Sequence, residues 1–408
     1  MLNFSREARH KMQRMNYDTP SRGLEFRELF FFDDVIMKRI LLTLAIALLA
    51  AGSLFAQLPP DSVIRRYAAG MLMVGFKGDS VTEDCDAARY VRDLKVGAIV
   101  LFDIDMTGKA TIGSRNITSK ERLTRMTTQL QAWADYPLLI ATDQEGGKVA
   151  RLKPQYGFLP TVTAEYLGTV NNEDTTRYYA ARLSREMHES GVNVNLAPVV
   201  DVLNHDCAAV GHYLRCYSVD PVAIARHAGW FIEESHRQGV LCTLKHFPGH
   251  GNAIDDSHYG FVDVTNGWTP VELEPFKALI ADGKADLIMT AHLFNRNIDD
   301  EYPATLSAKT INGLLRGEMG YDGVVVTDDL YMQAIRNQYS IPTALELAIN
   351  AGADLICVGN NISTGFEADR PFKLVEMIVT SVKEGRIPWE RMEQSHARLQ
   401  RLQEKIDN

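Results

Sequence analysis

"GVVVTDDL", Gly323 to Leu330, is an unbroken apolar run that ends in two adjacent aspartates. A continuous valine run predicts a strand covered on both faces, as in a parallel sheet, rather than an alternating strand with one wet face. The aspartates at its exit are equally informative, because carboxylates at the end of a buried strand are costly unless they are paired or put to use. Seven further runs share this character: "MLMVGF" (71–76), "VGAIVLF" (96–102), "PLLIAT" (137–142), "VNVNLAPVV" (192–200), "VLCTLKHF" (240–247), "ADLIMTAHL" (285–293) and "ADLICVGN" (353–360). Amphipathic stretches lie between them, including "TSKERLTRMTTQLQAWA" (118–134), "TTRYYAARLSREMHESG" (175–191) and "PVAIARHAGWFIEESHRQG" (221–239). One or two closing helices follow within residues 374–406.

Eight strand–helix alternations predict an α/β chain folded as a (β/α)8 barrel of the TIM type, typically ~250 residues before loop insertions. The alternative is a doubly wound open sheet, but no G-x-G-x-x-G follows the first strand, which weakens a dinucleotide-binding version. No Pro-, Gly- or Ser-rich linker interrupts the chain after residue 60, so residues 57–408 are expected to form one catalytic domain.

The 408 residues are 46% hydrophobic and 23% charged, an ordinary globular composition. The formal net charge of −9, with no basic cluster, argues against a nucleic-acid partner. The sequence implies no cofactor and no obligate protein partner.

The N-terminus reads separately. From Met37, Lys38 and Arg39 precede an uncharged apolar run, Ile40 to Ala56, with small residues before Gln57. This is the layout of a secretory signal peptide over residues 37–56. An uncleaved membrane anchor is the alternative, but the run falls short of the ~20 residues a spanning helix needs. Residues 1–36 are charged and unpatterned, and are read as a start-site artefact or a disordered extension. A periplasmic or secreted protein is therefore expected, and export permits disulfides. Of the five cysteines, Cys207 and Cys216 lie close enough in sequence to pair, whereas Cys242 and Cys357 sit in apolar runs as buried thiols.

Active-site groups of such a barrel gather at the C-terminal ends of its strands. The third run leads into Asp143, Gln144 and Glu145, and the fourth into Asp201. The fifth carries Lys245 and His246, the sixth His292, and the seventh Asp328 and Asp329. Polar exits on five strands in a row point to a shared polar pocket rather than to isolated ion pairs.

The stretch "KHFPGHGNAIDDSHYG" (245–260) admits several chemistries. A metal would use His246, His250, His258 and Asp256, but their spacing matches no tight ligand pattern. Lys245 is placed for a Schiff base, which leaves "DDSH" without a role. A glycosidase needs a carboxylate nucleophile and a proton donor. Asp328 suits the first, while Asp143, Glu145, Asp255 and Asp256 each remain open as the second. His258 competes for that role: two residues after Asp256 in an extended segment, its imidazole is within reach of an orienting carboxylate and titrates near neutrality. Residue spacing alone does not choose.

"KHFPGHG" followed after four residues by "DSH" resembles the signature of the β-N-acetylglucosaminidases of glycoside hydrolase family 3. "TDQEGGKVARL", "NLAPVVDV", "LRCYSVDP", "IMTAHL" and "VVVTDDLYMQAI" resemble further blocks of that family, in the right order over roughly residues 60–400. The resemblance implies a single-barrel, retaining enzyme acting on a GlcNAc-terminated glycan or muropeptide. Asp328 would be its nucleophile and Asp256 with His258 its acid/base dyad. Asp143, Arg151, Arg215, Lys245 and His246 match sugar-gripping positions. His250 matches a position expected to shape the loop, and His292 and Asp201 fall in matching blocks with less defined duties. No metal is implied. The loop exit "FVDV" (261–264) departs from the family pattern. Phosphorolysis, a different sugar specificity, a non-catalytic glycan-binding barrel and a metal-dependent hydrolase are the competing readings.

Overall fold

The computed structural model describes residues 58–406, apart from Lys109, residues 254–259 and Thr364. The leader segment, Asp255, Asp256 and His258 therefore lie outside the described residues. Eight parallel strands form the sheet: β1 (Leu72–Val74), β2 (Ala98–Val100), β3 (Leu139–Thr142), β4 (Val194–Asn195), β5 (Leu241–Phe247), β6 (Leu287–Thr290), β7 (Val324–Thr327) and β8 (Ile356–Val358). Each falls inside one of the eight apolar runs and is buried along its whole length. Their order around the sheet is β7-β6-β5-β4-β3-β2-β1-β8. A parallel bridge between Val326 and Leu355 joins the two ends, so the sheet closes into a (β/α)8 barrel.

Closure depends on close backbone approach. The amide of Gly75, just past β1, donates to the Val358 carbonyl of β8 at 3.0 Å. A Cβ at Gly75 would stand 2.0 Å from the Gly359 carbonyl oxygen, so a side chain there would push β8 away.

Parallel strands need crossovers, which helices supply. The main ones are α1 (Asp61–Gly70), α2 (Lys120–Trp133), α3 (Glu173–Glu189), α4 (Pro221–Arg237), α5 (Glu274–Ala281), α6 (Ile341–Ala351), α7 (Arg370–Lys383) and α8 (Trp389–Gln403). Their starts follow capping chemistry. Ser119, Asn172, Asp220 and Ser340 each accept a backbone N–H of the first turn, and Pro221 opens α4 behind its Asp220 cap. The crossover after β1 runs through Asp86–Ala88 into a wider π-type turn, Arg89–Leu94, and the one after β6 uses Lys309–Glu318. The second is amphipathic, burying Thr310, Ile311 and Leu315. Residues 59–408 make one compact unit. None of the described helices is long and apolar enough to cross a membrane.

Two of the apolar runs also carry an aspartate at their entrance. Asp354 receives Arg316 at 2.6 Å, Arg391 at 2.6 Å and Arg398 at 3.3 Å. Asp286 receives His236 at 2.6 Å and Lys405 at 2.9 Å. These carboxylates pin α8 and the chain after it to the N-terminal end of the barrel, opposite the strand exits. The expected Cys207–Cys216 bond is absent. Both are free thiols, buried in a small apolar cluster with Val199 and Val210, and Cys207 donates to the His250 carbonyl at 3.4 Å. Packing places the sulfurs there as small apolar groups rather than as a bridge.

Asp354→Ala leaves buried guanidinium groups without their counter-charge. It is expected to cost about 3 kcal/mol or more, read as a lowered urea midpoint with an unchanged m-value.

Candidate active site

The C-terminal ends of the strands surround a cavity of about 470 Å³. Its base is charged. Lys245, at the end of β5, has a side chain only 2% exposed. Its ammonium donates to Asp143 Oδ1 at 2.9 Å and pairs with Glu145 Oε1 at 2.7 Å. Arg215 grips Glu145 with two parallel bonds, Nε to Oε2 at 2.8 Å and Nη2 to Oε1 at 2.7 Å, the bidentate geometry that makes such pairs strong. Arg151 Nη2 donates to the other oxygen of Asp143 at 3.2 Å.

β5 exposes two successive polar side chains to this cavity, although neighbours on a regular strand face opposite ways. The pairing with β6 shifts register between Lys245 and Phe247, which breaks the alternation there. His246 Nδ1 lies 2.7 Å from Asp201 Oδ2 and its Nε2 lies 3.3 Å from Arg215 Nη2. A guanidinium only donates, so Nε2 accepts, and the ring proton sits on Nδ1 facing Asp201. Asp201 Oδ1 also accepts the amides of His246 at 3.0 Å and His250 at 2.8 Å.

These contacts set the ionisation states. Burial works against the Lys245 ammonium, yet Asp143 and Glu145 hold its pKa above the ordinary lysine value. Burial likewise opposes charge on Asp143, but Lys245 and Arg151 bring its carboxyl well below the usual range. Glu145 is lowered in the same way by Arg215 and Lys245, against its burial. Burial opposes Asp201 too, and His246 brings it down to about 2. Asp143 and Glu145, two of the four carboxyls open to the proton-donor role on spacing alone, are thus held ionised and suit binding rather than acid catalysis.

Asp328 leaves β7 into the same cavity. Its amide donates to the Thr290 carbonyl of β6 at 3.2 Å, and its Oδ1 accepts the Asp329 amide at 2.8 Å. Asp329 also borders the cavity, but its oxygens accept the amides of Tyr331 at 2.9 Å and Gly359 at 3.1 Å. Burial, with the neighbouring Asp328 charge, pushes Asp329 up to about 6. Both carboxylate oxygens of Asp329 are thus engaged by backbone amides, while Asp328 faces the cavity beside it.

The structure therefore brings Asp143, Arg151, Arg215, Lys245, His246, Asp201 and Asp328 together. His292 stands behind the cavity wall. It lies 2.9 Å from Thr305 Oγ1, and its Nε2 donates to the Asp329 carbonyl at 3.0 Å, supporting the Asp328–Asp329 turn. His250 is buried beside Cys207 and brought down to about 4 by burial and the nearby His246. Among the described residues no three His, Cys, Asp or Glu side chains are arranged to hold a metal ion.

Three acidic residues have roles that the sequence did not assign them. Glu145 is a structural keystone of the base. Asp103, just past β2, lines the cavity and is held by Lys153 and Tyr156; applied to the second run, the rule of a carboxylate at an apolar strand exit finds it. Glu272 is buried, accepts Asn252 Nδ2 at 2.8 Å, and is raised to about 7 by its burial. No local pattern in the sequence marks Glu272.

Comparisons with known proteins identify relatives of this chain. The sequence profile described as "Glycosyl hydrolase family 3 N terminal domain" matches residues 64–402. A "Beta-hexosaminidase" of Xylella fastidiosa (strain 9a5c) is 34% identical over 300 residues, covering 71% of this chain and 83% of that protein. The solved family 3 beta-N-acetylglucosaminidase of Paenibacillus sp. str. FPU-7 superposes with a TM-score of 0.76 at 32% identity, over 86% of this chain and 64% of that one. The beta-N-acetylhexosaminidase of Beutenbergia cavernae DSM 12333 gives 0.73 at 26% identity, over 86% and 99%.

The low pKa of Asp201 makes a pH prediction. A carboxyl whose folded value is near 2 and whose ordinary value is 3.8 stabilises the fold fully above 3.8, and that contribution is lost as pH falls through 2. Asp201→Asn is expected to be less stable than wild type at pH 6 and to lose stability less steeply between pH 4 and pH 2, measured by urea unfolding.

Proposed function

The chain belongs to glycosyl hydrolase family 3, and from that premise we propose that it is a retaining, exo-acting β-N-acetylglucosaminidase. The observation that carries the proposal is Asp328 at a strand exit above a base of alternating donors and acceptors. A sugar hydroxyl both gives and takes a hydrogen bond, so a base of Lys245, Arg151 and Arg215 interleaved with Asp143 suits a ring bearing several of them. Three carboxylates and three cations cancel in that base, so the cavity offers polarity without a large excess of either charge. N-acetylglucosamine as the sugar rests on the names of the relatives and on the "DSH" element.

In the first step the Asp328 carboxylate attacks the anomeric carbon while His258, protonated and oriented by Asp256, gives its proton to the leaving oxygen. In the second, the now neutral imidazole takes a proton from water, which displaces the sugar from Asp328. Asp143, Arg151, Lys245 and Arg215 hold the ring, and His246, fixed by Asp201, completes that wall. The roles of Asp256 and His258 rest on the sequence likeness. The leader at Met37 supports a location in the periplasm or outside the cell, where peptidoglycan fragments and other GlcNAc-terminated glycans are candidate substrates.

The test is product analysis on chitobiose with and without phosphate. N-acetylglucosamine is expected at a rate independent of phosphate, and a sugar phosphate overturns hydrolysis. From the p-nitrophenyl β-glycoside, whose leaving group is not a sugar, the product is expected first as the β-anomer, and an α-anomer overturns retention.

The residue roles are tested separately. Asp328→Ala is expected to lose at least about a thousandfold in kcat. His258→Ala is expected to slow chitobiose by about a hundredfold, with a far smaller loss on an activated aryl glycoside whose leaving group needs no proton. Equal losses on both substrates remove His258 from the acid role.

A further inference from the structure

The loop over one side of the cavity carries a conformational oddity. Leu214 has φ +60, a left-handed geometry that is strained for a non-glycine residue. It is enforced by the loop's own bonds: the amides of His212, Leu214 and Arg215 donate to the carbonyls of Cys207, Gly211 and Val210 at 3.0, 2.9 and 3.1 Å. Cys207 and Val210 anchor this loop in the small apolar cluster beneath it. The consequence is a division between two neighbours. Arg215 turns inward to its bidentate pair with Glu145, at the cavity base. Tyr213 also lines the cavity, yet it remains 50% exposed.

The loop beside Tyr213 is tied to the turn after β3. Lys148 Nζ donates to the His212 carbonyl at 3.0 Å and lies 6.0 Å from the Tyr213 ring centroid, within reach of a cation–π attraction. Lys148 reaches there because the turn before it is tight: Gly146 has φ +105, and a Cβ on it would lie 2.4 Å from the Val162 carbonyl oxygen. An aromatic face at the rim of a polar pocket, with a lysine ammonium 6.0 Å from its centroid, is more than a scattered surface apolar residue.

We propose that Tyr213, braced by Lys148, is the platform for the leaving-group sugar of the substrate. The inference rests on the glycosidase reading and extends it to the other side of the scissile bond. An exo-acting pocket takes the terminal sugar into its charged base, so the next pyranose must pass the rim. The apolar face of that ring packs on the exposed tyrosine, which loses little conformational freedom on binding. The strain at Leu214 lets one short loop serve both sugars, Arg215 below and Tyr213 above.

The test compares two ligands. Free N-acetylglucosamine, as a competitive inhibitor, fills only the base, whereas chitobiose also reaches the rim. Tyr213→Ala is expected to lower kcat/KM for chitobiose roughly tenfold, mainly through KM, with the inhibition constant of N-acetylglucosamine unchanged. Tyr213→Trp is expected to restore KM. An unchanged kcat/KM overturns the platform, and so does parallel weakening of both ligands, which makes Tyr213 part of the base. A wild-type protein that turns over no chitobiose overturns the activity reading and the platform with it.

Discussion

A lysine ammonium buried at the end of a barrel strand must be paired or it will be lost. Lys245 meets that condition between Asp143 and Glu145, and much of the site depends on the arrangement. Glu145 is shared with Arg215, which ties the long loop after β4 to the turn after β3. Arg215 in turn faces His246, whose other nitrogen is fixed by Asp201. One chain of contacts therefore orders groups from three successive strand exits before any substrate arrives. That is the preorganisation a binding pocket needs if its hydrogen bonds are not to be offset by ordering costs.

The two ends of the barrel treat charge differently. At the N-terminal end Asp286 and Asp354 accept side chains from α4, from the 309–318 crossover and from α8 with the chain after it, and tie those elements together. At the C-terminal end the carboxylates are arranged around a cavity. Asp143 shares its oxygens with two cations that also border that cavity, and Asp328 is positioned by backbone. The closed ring of parallel strands makes this asymmetry available, because every strand leaves the barrel at the same end.

Much of this was legible in the residues. Each of the eight apolar runs contains a strand, since an unbroken Val/Ile/Leu run has few other ways to be buried on both sides. The strand-exit rule located Asp143, Asp201, Lys245, His246 and Asp328. It did not separate the roles of Glu145 and Asp329, whose sequence settings look like those of their neighbours. The difference lies in partners contributed by Arg215 and by the Gly359 amide, each dozens of residues away or more. Cys207 and Cys216 failed as a disulfide for a related reason: nearness along a loop says little about where two side chains point.

The sequence by itself determined the barrel, the end at which the site forms and the chemical types gathered there, because those depend on local apolar runs and on the polar residues at the exit of each. The tertiary structure decided which carboxylate is neutralised, which histidine nitrogen carries the proton and which neighbour on the Tyr213–Arg215 loop turns inward. Those outcomes depend on distances of about 3 Å between groups far apart in the chain, and on the burial that makes such distances count.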